Sequence, residues 1–373
     1  MQRRQEGFSI WAIRIATVSG IPIRLHFTFI LFMFWLAFVS REAPHSAHIM
    51  ALIPAIFFCV VLHELGHALT GQRFGIRTKD ITLYPIGGIA TLAGRPKPTQ
   101  EFWIAIAGPF VNLIISFLIG IGLLLFEKRL PDFSVAISLE RFSFWDALFS
   151  ANIVLMLFNM IPAFPMDGGR VLRALLALKM PETTATQIAG WIGQFLAIAF
   201  GIFALFIGHV LWMLIAFFIF LGAGQEMVVT VGYSLVKEKR VADAMMTDFR
   251  TISHTDSLRK AAQMLLAGSQ QVFPVVFGDE ILGILTREDI GRGMQTGGDD
   301  AYVSGFMQRE FKRMSPTDPL EAALNHFMEG NRAPIMIFDG DRLVGILTIE
   351  NLSEFMMLEH ARSGNTSIET RTG

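Results

Sequence analysis

The chain has 373 residues, 52% of them hydrophobic and only 17% charged, with a mean hydropathy of +0.49. Soluble domains carry about 25% charged residues, so a single soluble globule is excluded. A net charge of −1 excludes the concentrated basic face that nucleic acid requires. The single cysteine, Cys59, leaves no internal disulfide. Charge is also unevenly spread. Residues 1–234 hold 16 Lys/Arg and 12 Asp/Glu, whereas residues 235–373 hold 15 and 20, which predicts a membrane part followed by a water-soluble part.

Residues 1–24 form an N-terminal cytosolic or interfacial segment. Within it, residues 8–23 alternate apolar side chains with Gly and Pro, which suits a strand or an interfacial piece better than a span. Arg14 and Arg24 interrupt the apolar run and no small-residue cleavage site follows, which argues against a cleaved signal peptide. A membrane domain is predicted over 25–234. A span needs about 20 apolar residues, and six runs approach that length: 25–40, 49–71, 102–126, 145–163, 187–207 and 209–227. Gly208-His209 divides the last long stretch into a hairpin. Counted over the loops, 15 Lys/Arg fall on one side and four on the other, and this bias places both termini in the cytosol.

The second run contains His63-Glu64-Leu65-Gly66-His67, an H-E-x-x-H pattern. At 3.6 residues per turn the two histidines stack on one helix face, where both imidazoles can reach one zinc ion. Glu64 lies about 100° further round, placed to take a proton from water. Ionisable groups facing lipid cost about 2.5–3.5 kcal/mol each, so three of them in one apolar run point to function. An ion path is the competing function.

Two imidazoles leave a tetrahedral site incomplete. Asp167, in Asn159-Met-Ile-Pro162-Ala-Phe-Pro165-Met-Asp167-Gly168-Gly169, is the candidate third ligand. Spans two and four run in the same direction, and Asp167 follows the end of span four at the depth of the histidines. Pro162 and Pro165 break the helix and free the carboxylate to turn inward. Taken alone, an Asp-Gly-Gly turn at a helix exit is the commoner reading. Cys59, one turn before His63, is read as a buried small residue rather than a ligand. His26 is read as interfacial and Gln194 as a packing residue.

His63–His67, together with Asn159-x-x-Pro162-x-x-x-x-Asp167-Gly168, resembles the paired motifs of the site-2 protease family, zinc metalloproteases that cut within the membrane. The resemblance extends over about residues 20–225. It implies one zinc ion per chain held by His63, His67 and Asp167. By the same resemblance Glu64 is the general base, and Asn159 places the scissile carbonyl or its oxyanion. Pro85-Ile-Gly87-Gly88 resembles the family's Gly-rich loop and Gly108-Pro-Phe-Val-Asn112 its G-x-x-x-N segment, so Gly87, Gly88 and Asn112 are expected to position substrate. A membrane helix hides its amides in its own hydrogen bonds, and cleavage needs local unwinding. Extended segments at 81–92 or 8–24 are suited to pair with an unwound stretch by strand addition.

From Val241 the chain repeats at offsets of 60 to 62 residues. Asp243-Ala-Met-Met246 answers Ser304-Gly-Phe-Met307, Phe273-Pro274 answers Ala333-Pro334, and Gly283-Ile-Leu-Thr286 answers Gly345-Ile-Leu-Thr348. Each unit has an amphipathic helix (258–267 and 320–329), a strand, a turn, a second strand ending in Thr, and a further helix. The pattern resembles a tandem pair of CBS domains, at 241–299 and 300–360, with 361–373 as a flexible tail. The resemblance implies an adenine nucleotide (ATP, ADP or AMP) in the cleft, through Thr286 and Asp289, and through Thr348 in the second copy, where Asn351 replaces the aspartate. The alternatives are a dimerisation or docking surface, and a helix N-cap at Thr286 and Asp289.

The fold class expected is thus a polytopic α-helical membrane protein of about six transmembrane helices followed by a cytosolic α/β tandem CBS pair. The function expected is intramembrane zinc proteolysis of membrane-spanning protein substrates, with activity or access modulated by nucleotide and a possible homodimer through the CBS pair. The alternative is a CBS-regulated transporter or channel that uses the His/Glu cluster as an ion path. An inactive scaffold is disfavoured by the intact H-E-x-x-H.

Overall fold

A computed structural model describes residues 11–41, 46–85, 87–133, 143–328 and 330–369. The chain divides into two compact units, Met1–Val228 and Val229–Gly373.

The first unit opens with strands β1 (Ala12–Val18) and β2 (Ile21–His26), followed by α1 (Phe27–Ser40) and α2 (Ser46–Arg73). Strands β3 (Arg77–Tyr84) and β4 (Gly87–Ala93) then form a hairpin. The four strands make one sheet in the order β1-β2-β3-β4, with β2 parallel to β3 and the other pairs antiparallel. The segment at 8–23, expected as a strand or interfacial piece, thus supplies β1 and most of β2. Ile21, Ile23, Ile81 and Leu83 of the sheet pack against Phe29, Val61, Leu65 and Ala68. One face of the H-E-x-x-H helix is therefore seated on the sheet, which leaves its histidine face free for α3.

Helix α3 (Pro98–Gly122) begins with Pro98 at its first position, where no N–H is needed. Then come α4 (Phe144–Asn159), the short amphipathic α5 (Asp167–Ala177), α6 (Glu182–Ile207) and α7 (Val210–Val236). Gly208 closes α6 at φ +76°, a left-handed cap open to glycine at no steric cost, and this is the predicted hairpin.

Among the described residues, four helices are long and apolar enough to cross a bilayer: Met50–Arg73, Pro98–Glu127, Glu182–Ile207 and Val210–Val236. Six were expected. The other two runs form α1 and α4, of 14 and 16 residues, about 21 and 24 Å at 1.5 Å per residue against a hydrocarbon core of about 30 Å. Helix α1 is short because residues 21–26 are spent on β2, and His26 caps it by accepting from Thr28 N–H. Helix α4 ends at Asn159, ahead of Pro162.

The second unit holds two three-stranded sheets. One contains β5 (Ile252–Ser253), β6 (Val272–Phe277) and β7 (Glu280–Thr286), with α8 (Leu258–Leu266) and α9 (Arg287–Gly297). The other contains β8 (Lys312–Met314), β9 (Ile335–Asp339) and β10 (Arg342–Leu347), with α10 (Leu320–Met328) and α11 (Ile349–Glu369). Val272 and Ile284 of the first sheet join Met336, Phe338 and Ile346 of the second in one cluster. The segment preceding each repeat pairs with the other's sheet, Met246 with Ile346 and Gln308 with Ile284. Helix α11 continues to Glu369, where a flexible tail was expected from residue 361. The exposed Arg362 pairs with Glu359 one turn back, the kind of i,i+3 pair that supports a helix end in water.

Phe273 is fully buried among Ile252, Leu258, Val275 and Leu285. Phe273→Ala is expected to destabilise the second unit by about 3–5 kcal/mol, read as an earlier denaturant midpoint in the full chain.

Candidate metal centre

His63 and His67 lie on α2, and Asp167 is the first residue of α5. All three are buried, each at 8% exposure or less. The His63 and His67 Nε2 atoms are 3.1 Å apart, and each is 3.2 Å from Asp167 Oδ2. They are a candidate metal-ligand cluster.

The hydrogen bonds behind the rings fix which nitrogen carries the proton. Asn152 Nδ2 donates to the carbonyl of Leu148 at 2.9 Å, an acceptor only. Asn152 Oδ1 therefore accepts from Asn112 Nδ2 at 2.8 Å, and Asn112 Oδ1 faces His63 Nδ1 at 2.5 Å. With that oxygen as its only partner among the described residues, His63 Nδ1 is the donor. His67 Nδ1 likewise donates to the carbonyl of Ile104, at 2.6 Å. In the neutral rings both protons sit on Nδ1, so both Nε2 atoms present lone pairs.

Three lone-pair atoms, one of them anionic, thus converge with no hydrogen between them, an arrangement that calls for a cation. Zinc bonds of about 2.0–2.1 Å in tetrahedral geometry put neighbouring ligand atoms about 3.3 Å apart, close to the observed 3.1 and 3.2 Å. The space is kept by Gly108. A Cβ there would overlap His67 Nε2 and come within 2.7 Å of His63 Nε2. The residues fit the ion.

Asp167 reaches the histidines because the chain from Met160 to Phe164 folds closely against the start of α5. A Cβ on Gly168 would collide with the carbonyls of Met160 and Ile161, so only glycine permits this turn. The Asp-Gly-Gly sequence is a helix entry as well as part of the cluster.

Glu64 is half-buried and its carboxylate has no hydrogen-bond partner among the described residues. Gly88 lies against it, since a Cβ at that position would be 2.8 Å from Glu64 Cγ. Gly87 and Gly88, expected in a loop, instead open strand β4 and pair with Tyr84 and Leu83. Asn159 ends α4, half-buried, with no side-chain hydrogen bond among the described residues.

Asn112, expected against the substrate, is fully buried between His63 and Asn152. Asn152 was not singled out from the sequence, although a buried amide in the apolar run 145–163 was the available signal. Cys59 is buried and outside the ligand cluster. His26 stacks on Tyr84 at 4.7 Å between ring centroids.

In the second unit Thr286 and Asp289 form a closed N-cap of α9, with Thr286 Oγ1 donating to Asp289 Oδ2 at 2.8 Å. Gln308 and Arg292 hold the two oxygens of the same carboxylate. Thr348 and Asn351 repeat the cap at 3.0 Å. These groups, expected to face a nucleotide, are paired with one another.

Peptidase family M50 matches residues 51–138 and 129–200, and the CBS domain matches 241–294 and 303–358. A zinc metalloprotease of Methanocaldococcus jannaschii is 31% identical over 93% of this chain and 97% of its own length. Stage IV sporulation protein FB of Bacillus subtilis is 29% identical over 38% of this chain and 46% of its own. The solved site-2 protease of Methanocaldococcus jannaschii is 36% identical, covers 58% of this chain and 95% of its own, and superposes with a TM-score of 0.44. The chain belongs to peptidase family M50, the site-2 protease family. It is a zinc metalloprotease that carries a tandem CBS pair, which sets aside the transporter reading.

Gly108→Ala is expected to abolish zinc binding in the purified chain. Asn112→Ala, which frees the His63 ring, is expected to weaken zinc affinity about 10–100-fold, read by competition with a chelator.

Proposed function

We propose that the chain cleaves membrane-spanning protein substrates at a zinc site held by His63, His67 and Asp167. The observation that carries this reading is the meeting of three convergent lone-pair atoms with a carboxylate and a strand edge that have no partner among the described residues. In the order β1-β2-β3-β4 the described sheet ends at β4, and β4 begins against Glu64 at Gly88.

An unwound substrate stretch exposes amide groups that apolar surroundings cannot satisfy. Strand β4 offers it a backbone ladder, and the missing side chain at Gly88 lets that ladder approach Glu64. Zinc, when bound, polarises the scissile carbonyl and lowers the pKa of water. Glu64 accepts a proton at its carboxylate and delivers it to the leaving amine. Asn159, with its amide unengaged at the end of α4, orients the carbonyl. Asn112 keeps the His63 ring fixed and stays away from the substrate.

With α1 and α4 counted as short spans, the Lys and Arg distribution supports a cytosolic side for both termini. The active centre then opens toward that side.

The CBS pair is proposed to bind an adenine nucleotide that modulates activity. Because Thr286 and Asp289 cap α9, a nucleotide must displace Gln308 or Arg292 to reach the carboxylate. Gln308 belongs to the segment that pairs with Ile284 of β7, so binding would be read directly as a change in how the two repeats are tied. Titration of the full chain with ATP, followed by calorimetry, is expected to show binding that Asp289→Ala weakens at least tenfold. An absence of heat with ATP, ADP and AMP alike would leave the pair a docking surface.

Glu64→Gln is expected to retain about one zinc per chain and to lose cleavage of a reporter membrane protein by at least about a hundredfold. Asp167→Ala is expected to lose both zinc and cleavage. Normal turnover in Glu64→Gln would overturn its role as base.

A further inference from the structure

A buried ion pair joins α5 to α3, outside the metal centre. Arg173 of α5 is 8% exposed and Glu101 of α3 is 6% exposed. The guanidinium embraces Glu101 through Nε, at 3.0 and 3.2 Å from its two oxygens, and through a further Nη2 contact. Nη1 donates to Glu226 of α7 at 2.5 Å. The guanidinium carbon also lies 5.1 Å from the centre of the Phe164 ring, in the turn that delivers the chain to Asp167. The cluster borders a cavity of about 140 Å³ shared with Arg95, Arg170 and Glu182.

A buried ion pair is a poor way to gain stability. Desolvation offsets most of the attraction, and apolar replacements are often neutral. What such a pair supplies is registry, because a bidentate guanidinium accepts one orientation of its partner. The register fixed here is that of α5, which carries Asp167, against α3, which orients His67 and leaves room for the ligands at Gly108. Helix α5 has 11 residues, with Asp167 at one end and Arg173 six residues on. Helix α3 presents Glu101, then the Ile104 carbonyl that orients His67 one turn later, then Gly108 on the same face two turns later.

We propose that Arg173, clamped between Glu101 and Glu226, is the positioning residue that sets the Asp167 carboxylate against His63 and His67. It acts through the rigid helix it shares with Asp167. Through Glu226 the same clamp ties the carboxylate to α7. The inference rests on the proposed reading of Asp167 as a metal ligand.

The test uses the full chain in detergent, loaded with cobalt(II) in place of zinc. Affinity is read by chelator competition and ligand geometry by the visible d–d spectrum. Arg173→Lys, which keeps the charge and loses the fork, and Glu226→Gln, which removes one arm, are expected to weaken affinity at least fivefold. Both are expected to change band position or intensity in the bound fraction. Arg173→Leu is expected to weaken affinity at least tenfold, and Lys and Gln serve where Leu does not fold. Affinity within twofold of wild type with an unchanged spectrum overturns the proposal. So does lower affinity with an unchanged spectrum in the bound fraction, which marks a clamp that only holds the fold. Asp167→Ala is measured alongside. If it binds cobalt as tightly as wild type, the ligand reading fails. If it loses cobalt while the Arg173 and Glu226 variants keep wild-type affinity and spectra, the clamp alone fails.

Discussion

The structure of the first unit depends on the direction of two hydrogen-bond chains. Leu148, Asn152 and Asn112 lead to His63 Nδ1, and Ile104 leads to His67 Nδ1. Both start from a backbone carbonyl, which only accepts. Each step then has one polarity, and both Nε2 lone pairs face inward. These chains cross three helices, α2, α3 and α4, so the tautomer of each histidine is a property of the packing. In a low-dielectric setting such chains cannot be left half made, because every unpaired polar group would cost free energy that lipid does not return.

Close packing serves the same end. The sheet occupies one face of α2 through Val61, Leu65 and Ala68. The other face meets α3 at Gly108, where any side chain would fill the space between the imidazoles. The turn at Met160 to Phe164 folds against Gly168, and α5 starts where the carboxylate is needed. Metal geometry and helix packing are therefore one problem. Its solution is written in small residues at contact points as much as in the polar residues they surround.

Much of this was legible in the sequence. The spacing of His63 and His67 determines a shared helix face, and Pro162, Pro165 and Asp167 mark a break followed by a carboxylate. The offsets near 60 residues gave two α/β units with their strands and turns. Other features were hidden because they depend on partners distant in sequence. Asn112 reads as a substrate group until Asn152, 40 residues later, is found holding its amide. Thr286 and Asp289 fit a ligand motif and a helix cap equally well, and only the coordinates show the cap closed. The runs 25–40 and 145–163 give the shorter helices α1 and α4, since hydropathy cannot see that residues 25 and 26 pair as a strand or that α4 stops at Asn159. Arg173 counts as a loop cation in the sequence, and its partner Glu101 on α3 lies 72 residues away.

Helix α2 carries His63, Glu64 and His67 in its apolar stretch, and the polar partners of the two histidines lie on α3 and α5. As an isolated segment entering a bilayer it would present these groups to hydrocarbon with nothing to satisfy them, at a few kcal/mol for the ionised carboxylate alone. The chemistry that suits this helix to its task therefore weakens its own preference for hydrocarbon, and the groups that offset this for the two histidines come later in the chain.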